Sequence, residues 1–309
     1  MNSQGYKFTV FTPTFNRAHK IINVYECLLA QTFKDFEWLI VDDGSTDNTN
    51  ILIRKIKEEN KIAIRYFFQN NGGKHRAFNK AISEAKGEWL ICLDSDDKYM
   101  PDALAKLNNY SKDINSYDIA GISCLSIDQN GKIIGDKFPA NKFVTNHFDL
   151  YYRKKIRGDK GLIYKTEILK NFQFPEIKGE NFLTEAVVLN RISREYNIMC
   201  INEPLEIKEY LNDGLSNRIR YLRIRNPKGF ALFHNEKNNF NLKLKDRIIN
   251  TSLYVKYSLF AKGKYRSIYS NSIYKKGFVF YFILGNLLYL RSVILNFINE
   301  KKKNINNNR

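Results

Sequence analysis

The sequence predicts an α/β fold, a mainly parallel sheet flanked by helices, followed by a basic helical appendage. Three observations carry this. Apolar runs of strand length alternate four times with segments of helical periodicity from Lys7 onward. Those runs are continuously apolar, as strands covered on both faces are. Charge, finally, is split abruptly within a net +18: 30 Lys and Arg face 29 Asp and Glu up to Asp213, but 20 face 3 from Gly214 onward. A chain of 309 residues can bury a full core and carry a second unit. The charge step places the boundary, giving a principal domain over residues 1–213 and a basic, aromatic-rich helical region over 214–309.

Lys7 to Thr12 (KFTVFT) reads as the first strand, and AHKIINVYECLLAQ then sets Ile21, Ile22, Tyr25, Leu28 and Leu29 at helical spacing. FEWLIV, residues 36–41, is the second run and ends in Asp42, Asp43 and Gly44; Ser45 to Asn50 offer caps for the helix ILIRKIKEE. IAIRYFFQ is the third strand, closed by the turn Asn70 to Gly73, and KHRAFNKAISEAK continues as a helix. EWLICLDSDD, residues 88–97, is the fourth, and Pro101 opens another helix. From Tyr117 the alternation gives way to a mixed region, where IAGISCLSI and a Gly131 turn suggest a hairpin. TEAVVLNRISREY, residues 184–196, reads as a helix capped by Thr184, with Val187, Val188, Ile192 and Tyr196 on its apolar side. Beyond Asn226 the chain is helical and basic, without internal repeats.

In open α/β sheets ligands bind at the carboxyl ends of the strands. Thr12 with Pro13, Asp42 with Asp43, Asn70 to Lys74, and Asp94 to Asp97 all fall at that edge. Neither GxGxxG nor GxxxxGK[ST] accompanies them, so a dinucleotide fingerprint and a Walker loop are unsupported. Asp94, Asp96 and Asp97 repel one another unless cations or donors offset them, so positive charge is expected there; a solvated Asp-rich turn is the plainer reading. Asp42 and Asp43 could equally cap the next helix, and Lys74 could be an ordinary exposed lysine. Cys27, Cys92, Cys124 and Cys200 are scattered, without a CxxC pair, which suits a reducing compartment. MNSQGYKFTVFTPTFNR lacks the basic start and apolar stretch of a secretory signal, so a cytoplasmic location is expected.

In series, FTPTFNR, QTFKDFEWLIVDDGSTDNT, NNGGKHRAFNKAI and EWLICLDSDD followed by MPDAL resemble the family 2 glycosyltransferases, over roughly residues 7–105. The resemblance implies the Rossmann-like GT-A fold and an inverting transfer of sugar from a nucleotide-diphosphate donor, a UDP-sugar. It implies that Asp94, Asp96 and Asp97 hold Mg²⁺ or Mn²⁺, hard cations suited to oxygen ligands and to the donor's phosphates. Thr12, Pro13, Asp43, Lys74, Asp94, Ser95 and Asp96 are the implied nucleotide-sugar set, with Asp43 at the base and Asp96 between ribose and metal. Inversion needs a carboxylate that takes the acceptor's proton. GENFLTEAVVLNRIS resembles the segment that carries it, which nominates Glu185, with Glu180 as the alternative. A glutamate in a helix's first turn also stabilises the helix dipole by about 0.3–1 kcal/mol, so the two roles are compatible. RGDKGLIYKTEIL resembles an acceptor-side loop, with Asp159 and Lys160 as candidates. EYLNDGLS followed by RIRNPKG is similar to bacterial surface-polysaccharide members, which implies a glycan or lipid-linked glycan acceptor.

In the basic region Tyr254, Tyr257, Phe260, Tyr265, Tyr269 and Tyr274 alternate with Lys256, Lys262, Lys264, Arg266, Lys275 and Lys276. Amphipathic helices of that kind lie on anionic membranes, here the inner face of the cytoplasmic membrane. FVFYFILGNLLYLRSVILNFI, residues 278–298, approaches spanning length, yet Asn286, Arg291 and Asn296 interrupt it. A central Arg costs about 2.5–3.5 kcal/mol on insertion, so an interfacial or packed helix is expected. Two other functions compete. A sugar nucleotidyltransferase would need a Gly-rich opening after the first strand, which is absent. A nucleic-acid binder rests on charge alone and leaves the clustered carboxylates unexplained, so no nucleic-acid partner is expected.

Overall fold

Strands β1 (Tyr6–Thr14), β2 (Phe36–Asp42), β3 (Ala63–Phe68) and β4 (Gly87–Cys92) run parallel in the order β3-β2-β1-β4. Helices α1 (Ala18–Leu29), α2 (Thr49–Glu58) and α3 (Lys74–Glu84) connect them. This structure is a computed structural model; it describes residues 5–209 and 215–307, the side chains of 215–218 and 297–307 excepted. Tyr210 to Gly214, the middle of EYLNDGLS, lie outside the described residues.

The sheet continues past β4 through β8 (Lys160–Lys165), β6 (Ile119–Ile127), β9 (Asn197–Ile207) and β5 (Lys98–Tyr99), with β7 (Phe143–Thr145) beside β9. Here the sheet is mixed. β8 returns from β6 through a loop-rich segment in place of a crossover helix, and so enters antiparallel to both β6 and β4. β9 is parallel to β6, whereas β5 and β7 are antiparallel to β9. The hairpin suggested after β6 shrinks to one bridge, Ile127 to Ile133, around Gly131 at φ +78°. Helix α4 (Ala103–Lys112) follows Pro101, and α5 (Thr166–Asn171) follows β8. α6 (Ala186–Ile192) is shorter than TEAVVLNRISREY promised, because Ser193 to Tyr196 turn into β9.

Every residue of β2 is buried, including Glu37. That carboxylate survives burial because Thr9 Oγ1 (2.7 Å) and the Lys86 amide (2.8 Å) donate to it and Arg65 stands 3.3 Å away. Trp38 stacks on Tyr25 of α1 at 6.1 Å, and Phe8, Trp89, Leu28 and Ile53 fill the same core. This is how continuous apolar strands anchor polar ends.

The chain divides into two compact units, Met1–Glu176 with Val188–Gly214, and Ile177–Val187 with Leu215–Arg309. The second unit holds α7 (Leu215–Arg225), α8 (Pro227–Glu236), α9 (Leu244–Phe260), α10 (Tyr265–Asn271) and α11 (Phe278–Asn307) around Phe230, Tyr254, Val255, Tyr257, Ile268 and Phe278. Gly285 lets α11 lie close on α9: a Cβ there would meet Val255 Cβ at 2.5 Å. Away from α9, Phe280, Ile283, Leu287, Leu290 and Ile294 form an exposed apolar stripe at alternating three- and four-residue spacing. The stretch Phe278–Asn296 is long and apolar enough to cross a membrane by length and composition.

Gly87 opens β4 where a Cβ would stand 2.2 Å from the Thr9 amide nitrogen of β1, a backbone neighbour that cannot swing aside. Gly87→Ala is expected to cost about 1–3 kcal/mol, the range of overpacking, read as a lower urea midpoint at unchanged slope.

Candidate active site

β2 ends at two adjacent aspartates that do different work. Asp42 accepts from the Ser45 amide (2.8 Å) and the Tyr66 hydroxyl (2.8 Å), closing the turn ahead of α2. Asp43, also buried, accepts from the Gly72 and Gly73 amides (2.9 and 2.7 Å) and from Gln69 Nε2 (2.8 Å), while its own carbonyl takes Asn71 Nδ2 (2.9 Å). Gly44, at φ +87°, leaves room for this loop, since a Cβ there would meet the Asn71 amide at 2.8 Å. Asp43 thus reaches the predicted edge, and in this structure it fixes the loop Asn70 to Gly73 from which α3 and Lys74 begin.

Lys74 in turn meets the carboxylate cluster. Its ammonium lies 2.7 and 2.8 Å from the two oxygens of Asp94. Burial works to raise the Asp94 carboxyl, but Lys74 and then Lys208 hold it below the ordinary carboxylate range. Asp97 is 4% exposed and is bound by Lys208 Nζ (2.6 Å) and the Glu209 amide (3.2 Å). Burial drives the Asp97 carboxyl upward against the pull of Lys208. Lys208, desolvated but facing Glu206, Asp97 and Asp94, is held firmly protonated.

Among the described residues no lysine forms an ion pair with Asp96, although Lys208 and Arg17 act on it through space. Burial first, and the Asp94 charge second, raise its carboxyl. Among the described residues no three His, Cys, Asp or Glu side chains are gathered as a metal-holding group. Asp97 has both its oxygens engaged, by Lys208 and by the Glu209 amide, and Asp94 has both of its own on Lys74. Asp94 and Asp96 form a pair of hard oxygen donors in mutual repulsion, the type of set that holds Mg²⁺ through one or two carboxylates and leaves positions for phosphates.

Other predicted residues fall differently. The Thr12 hydroxyl is buried and accepts from Trp38 Nε1 (3.0 Å), so it faces the core. Pro13 is half-buried beside it at the strand end, and Ser95 is buried between the aspartates. Lys160 is buried, and its ammonium donates to the carbonyls of Ile134 (3.1 Å), Arg157 (2.9 Å) and Asp159 (3.3 Å). Burial lowers its pKa. The Asp159 side chain is exposed on the loop before β8.

Both glutamate candidates belong to the second unit, in Ile177–Val187. Glu180, 5% exposed, accepts from the amides of Lys228 (2.7 Å) and Gly229 (2.8 Å) in the first turn of α8. Burial raises its carboxyl while those amides pull it down. Asn226 answers from the helix start, accepting from the amides of Asn181 (2.9 Å) and Phe182 (3.1 Å). This reciprocal clamp makes Glu180 a cap of α8. Glu185 is half-buried immediately before α6.

Sequence reasoning missed Lys208 and Glu206. Glu206 accepts from Ser126 Oγ (2.7 Å) and lies 3.0 Å from Lys208, continuing a buried line of charge to Asp97. The available signal was the polar alternation in PLEIKE at the end of β9, 111 residues from Asp97.

Comparison with known proteins bears on the fold and the family. The putative teichuronic acid biosynthesis glycosyltransferase TuaG of Bacillus subtilis is 26% identical over 214 residues, 68% of this chain and 81% of that protein. Staphylococcus aureus TarS 1-349 in complex with UDP superimposes with a TM-score of 0.58 at 18% identity, covering 92% of this chain and 89% of that one. Mannosyltransferase PcManGT from Pyrobaculum calidifontis, in complex with GDP-Man and Mn²⁺, does so with a TM-score of 0.54 at 18% identity, covering 93% and 87%. The matched segment spans 20–31% of the length of several uncharacterized glycosyltransferases, those of Rickettsia among them. The architecture is thus the GT-A fold with a helical C-terminal region. With residues 9–172, more than half of the chain, matching Glycosyl transferase family 2, the chain belongs to that family.

Proposed function

We propose that this chain is an inverting glycosyltransferase that moves a sugar from a nucleotide-diphosphate donor, a UDP-sugar, onto a glycan or lipid-linked glycan of a bacterial surface polysaccharide. The observation that carries this reading is the meeting of Asp43, Lys74, Asp94 and Asp96 on one sheet edge, in the order of the family 2 motifs, with Lys208 joining them from the end of β9. The likeness to TuaG and to TarS with UDP supports the substrate class.

The chain's own residues divide the work. Asp43 holds the Asn70 to Gly73 loop and so positions Lys74. Lys74, resting on Asp94, is a cation that donor phosphates can draw on, and its release would free Asp94 as an oxygen donor beside Asp96. A Mg²⁺ or Mn²⁺ held by Asp94 and Asp96 would neutralise charge on the departing nucleoside diphosphate. Lys208 and Asp97 keep the turn rigid beneath them. Glu185, ahead of α6, takes the proton of the acceptor hydroxyl as it attacks the anomeric carbon. Glu180 secures the same segment by capping α8.

The helical unit brings the enzyme to an anionic membrane surface. The exposed stripe Phe280, Ile283, Leu287, Leu290 and Ile294 supplies apolar anchorage, and Lys275 and Lys276 flank it at the start of α11. Near an anionic leaflet each Lys or Arg contributes about 1 kcal/mol.

Three measurements test this reading. Asp96→Asn should abolish transfer and raise the melting temperature slightly, because it removes a repelled carboxylate; transfer by wild type should cease in EDTA and return with Mn²⁺ or Mg²⁺. Full transfer in EDTA would remove the metal from the mechanism. Glu185→Gln is expected to bind donor normally yet lose turnover at least about 100-fold, whereas Glu180→Gln should lower stability by about 1 kcal/mol or more and keep turnover per folded molecule. Loss of turnover confined to Glu180→Gln would reverse the assignment. In co-sedimentation, wild type should pellet with phosphatidylglycerol vesicles at low salt, and Leu287→Gln/Leu290→Gln should not; equal pelleting of both refutes the stripe.

A further inference from the structure

The second unit contains a cationic cleft that the transfer reaction leaves unused. It has a volume of about 370 Å³ and is lined from α7, α9 and α11. Arg220 and Arg223 project from α7, Lys256 from α9 and Arg291 from α11, with Tyr257, Ser292 and Asn296 among the remaining walls. No carboxylate among the described residues lines it, and none of the four cations has a carboxylate partner there. Arg223 rests over the Phe230 ring at 5.6 Å, and Lys256 lies 5.2 Å from the Tyr257 ring, aromatic faces that hold the side chains without neutralising them.

Four like charges around one concave space oppose their own assembly. Burial lowers the Lys256 pKa, and Arg223, Arg220 and Arg291 lower it further, which places all three guanidinium groups within electrostatic reach of that ammonium. Arginine forks read phosphate oxygens in pairs, and the lysine adds a point charge. The hydroxyl of Ser292 and the amide of Asn296 add neutral hydrogen-bonding groups to the wall.

We propose that this cleft is a metal-independent binding site for a phosphate or diphosphate group. Its position on α11 suggests how such a group could be carried. Leu288, Arg291, Ser292 and Leu295 face the cleft, and the exposed stripe of Leu287, Leu290 and Ile294 occupies the adjoining side of the same helix. A phosphate in the cleft therefore has apolar surface next to it, open to a lipid chain. A soluble sugar phosphate would use the cations alone.

Inorganic pyrophosphate is the probe, used with the full chain in EDTA so that metal-assisted binding at the donor site is silent. Equilibrium dialysis with labelled pyrophosphate should detect one bound equivalent. Affinity should fall about tenfold or more in Arg220→Gln/Arg291→Gln, since a hydrogen bond to a charged group is worth about 1.5–3 kcal/mol. It should be unchanged in the control Lys243→Gln/Lys245→Gln, which removes two exposed lysines of the same unit. Lys256→Met provides an arm that folding cannot confound: relief of repulsion should leave its melting temperature at or above that of wild type while pyrophosphate binding weakens. Displacement of pyrophosphate by short-chain phosphatidylglycerol, with no effect of glucose 1-phosphate, would support the site with a lipid as the source. Displacement by glucose 1-phosphate would support it with a soluble source. Absence of pyrophosphate binding, equal binding by wild type and Arg220→Gln/Arg291→Gln, or equal loss in the control would overturn the proposal.

Discussion

Three carboxylates within four residues at the end of a buried strand set the constraint on which the rest of the first unit depends. Two charges 4 Å apart repel by about 4 kcal/mol at an effective dielectric constant of 20, so Asp94, Asp96 and Asp97 cannot share one turn unaided. Two lysines resolve this, one 20 residues before Asp94 and the other 111 residues after Asp97. Lys74 arrives at the start of α3, and Lys208 arrives at the end of β9. The second arrival needs the far half of the sheet. The two-residue strand β5 pairs with β9 so that Lys98 faces Ile207, and that register puts Lys208 beside Asp97. A strand this short contributes little burial of its own; its importance is positional.

The same logic explains the division of labour among the aspartates. A carboxylate whose oxygens are filled by protein donors serves the scaffold, as Asp42, Asp43 and Asp97 do. Asp94 shares its charge with Lys74, whereas burial and the Asp94 charge keep the Asp96 carboxyl raised against the pull of Lys208 and Arg17. Stability and activity pull against each other here: the group most costly to the folded state is the one best suited to bind a cation.

The parallel half of the fold was legible because its strands are unbroken apolar runs and its loops end in Asp, Asn and Gly. The edge that gathers Asp43, Lys74 and Asp94 to Asp97 follows directly from that pattern. Side-chain direction did not follow from it. Thr12 and Lys160 sit where the motifs put them, yet one turns inward to Trp38 and the other to three loop carbonyls, choices made by tertiary hydrogen bonding that local sequence does not encode. Glu180 illustrates the same limit, since its partners are amides of a helix 48 and 49 residues further on. Lys208 was hidden for the opposite reason, as an ordinary lysine whose importance comes only from the β5–β9 register. The charge step at residue 213 marked the start of the helical region but not the earlier segment Ile177–Val187 that clusters with it.

The clamp between Glu180 and Asn226 bears on how such a chain can be recombined. If the basic helices were an independent cassette, they could be exchanged among relatives by joining genes near the charge step. A graft at that point would instead keep Glu180, Asn181 and Phe182 while replacing Asn226 and Gly229, leaving two amides without their side-chain partner and, with any residue larger than glycine at 229, crowding a Cβ against Leu183 and Glu180. Chimeras of this scaffold should therefore be joined before Ile177 with the returning strand β9 restored, or should carry Asn226 and Gly229 across with the incoming helices.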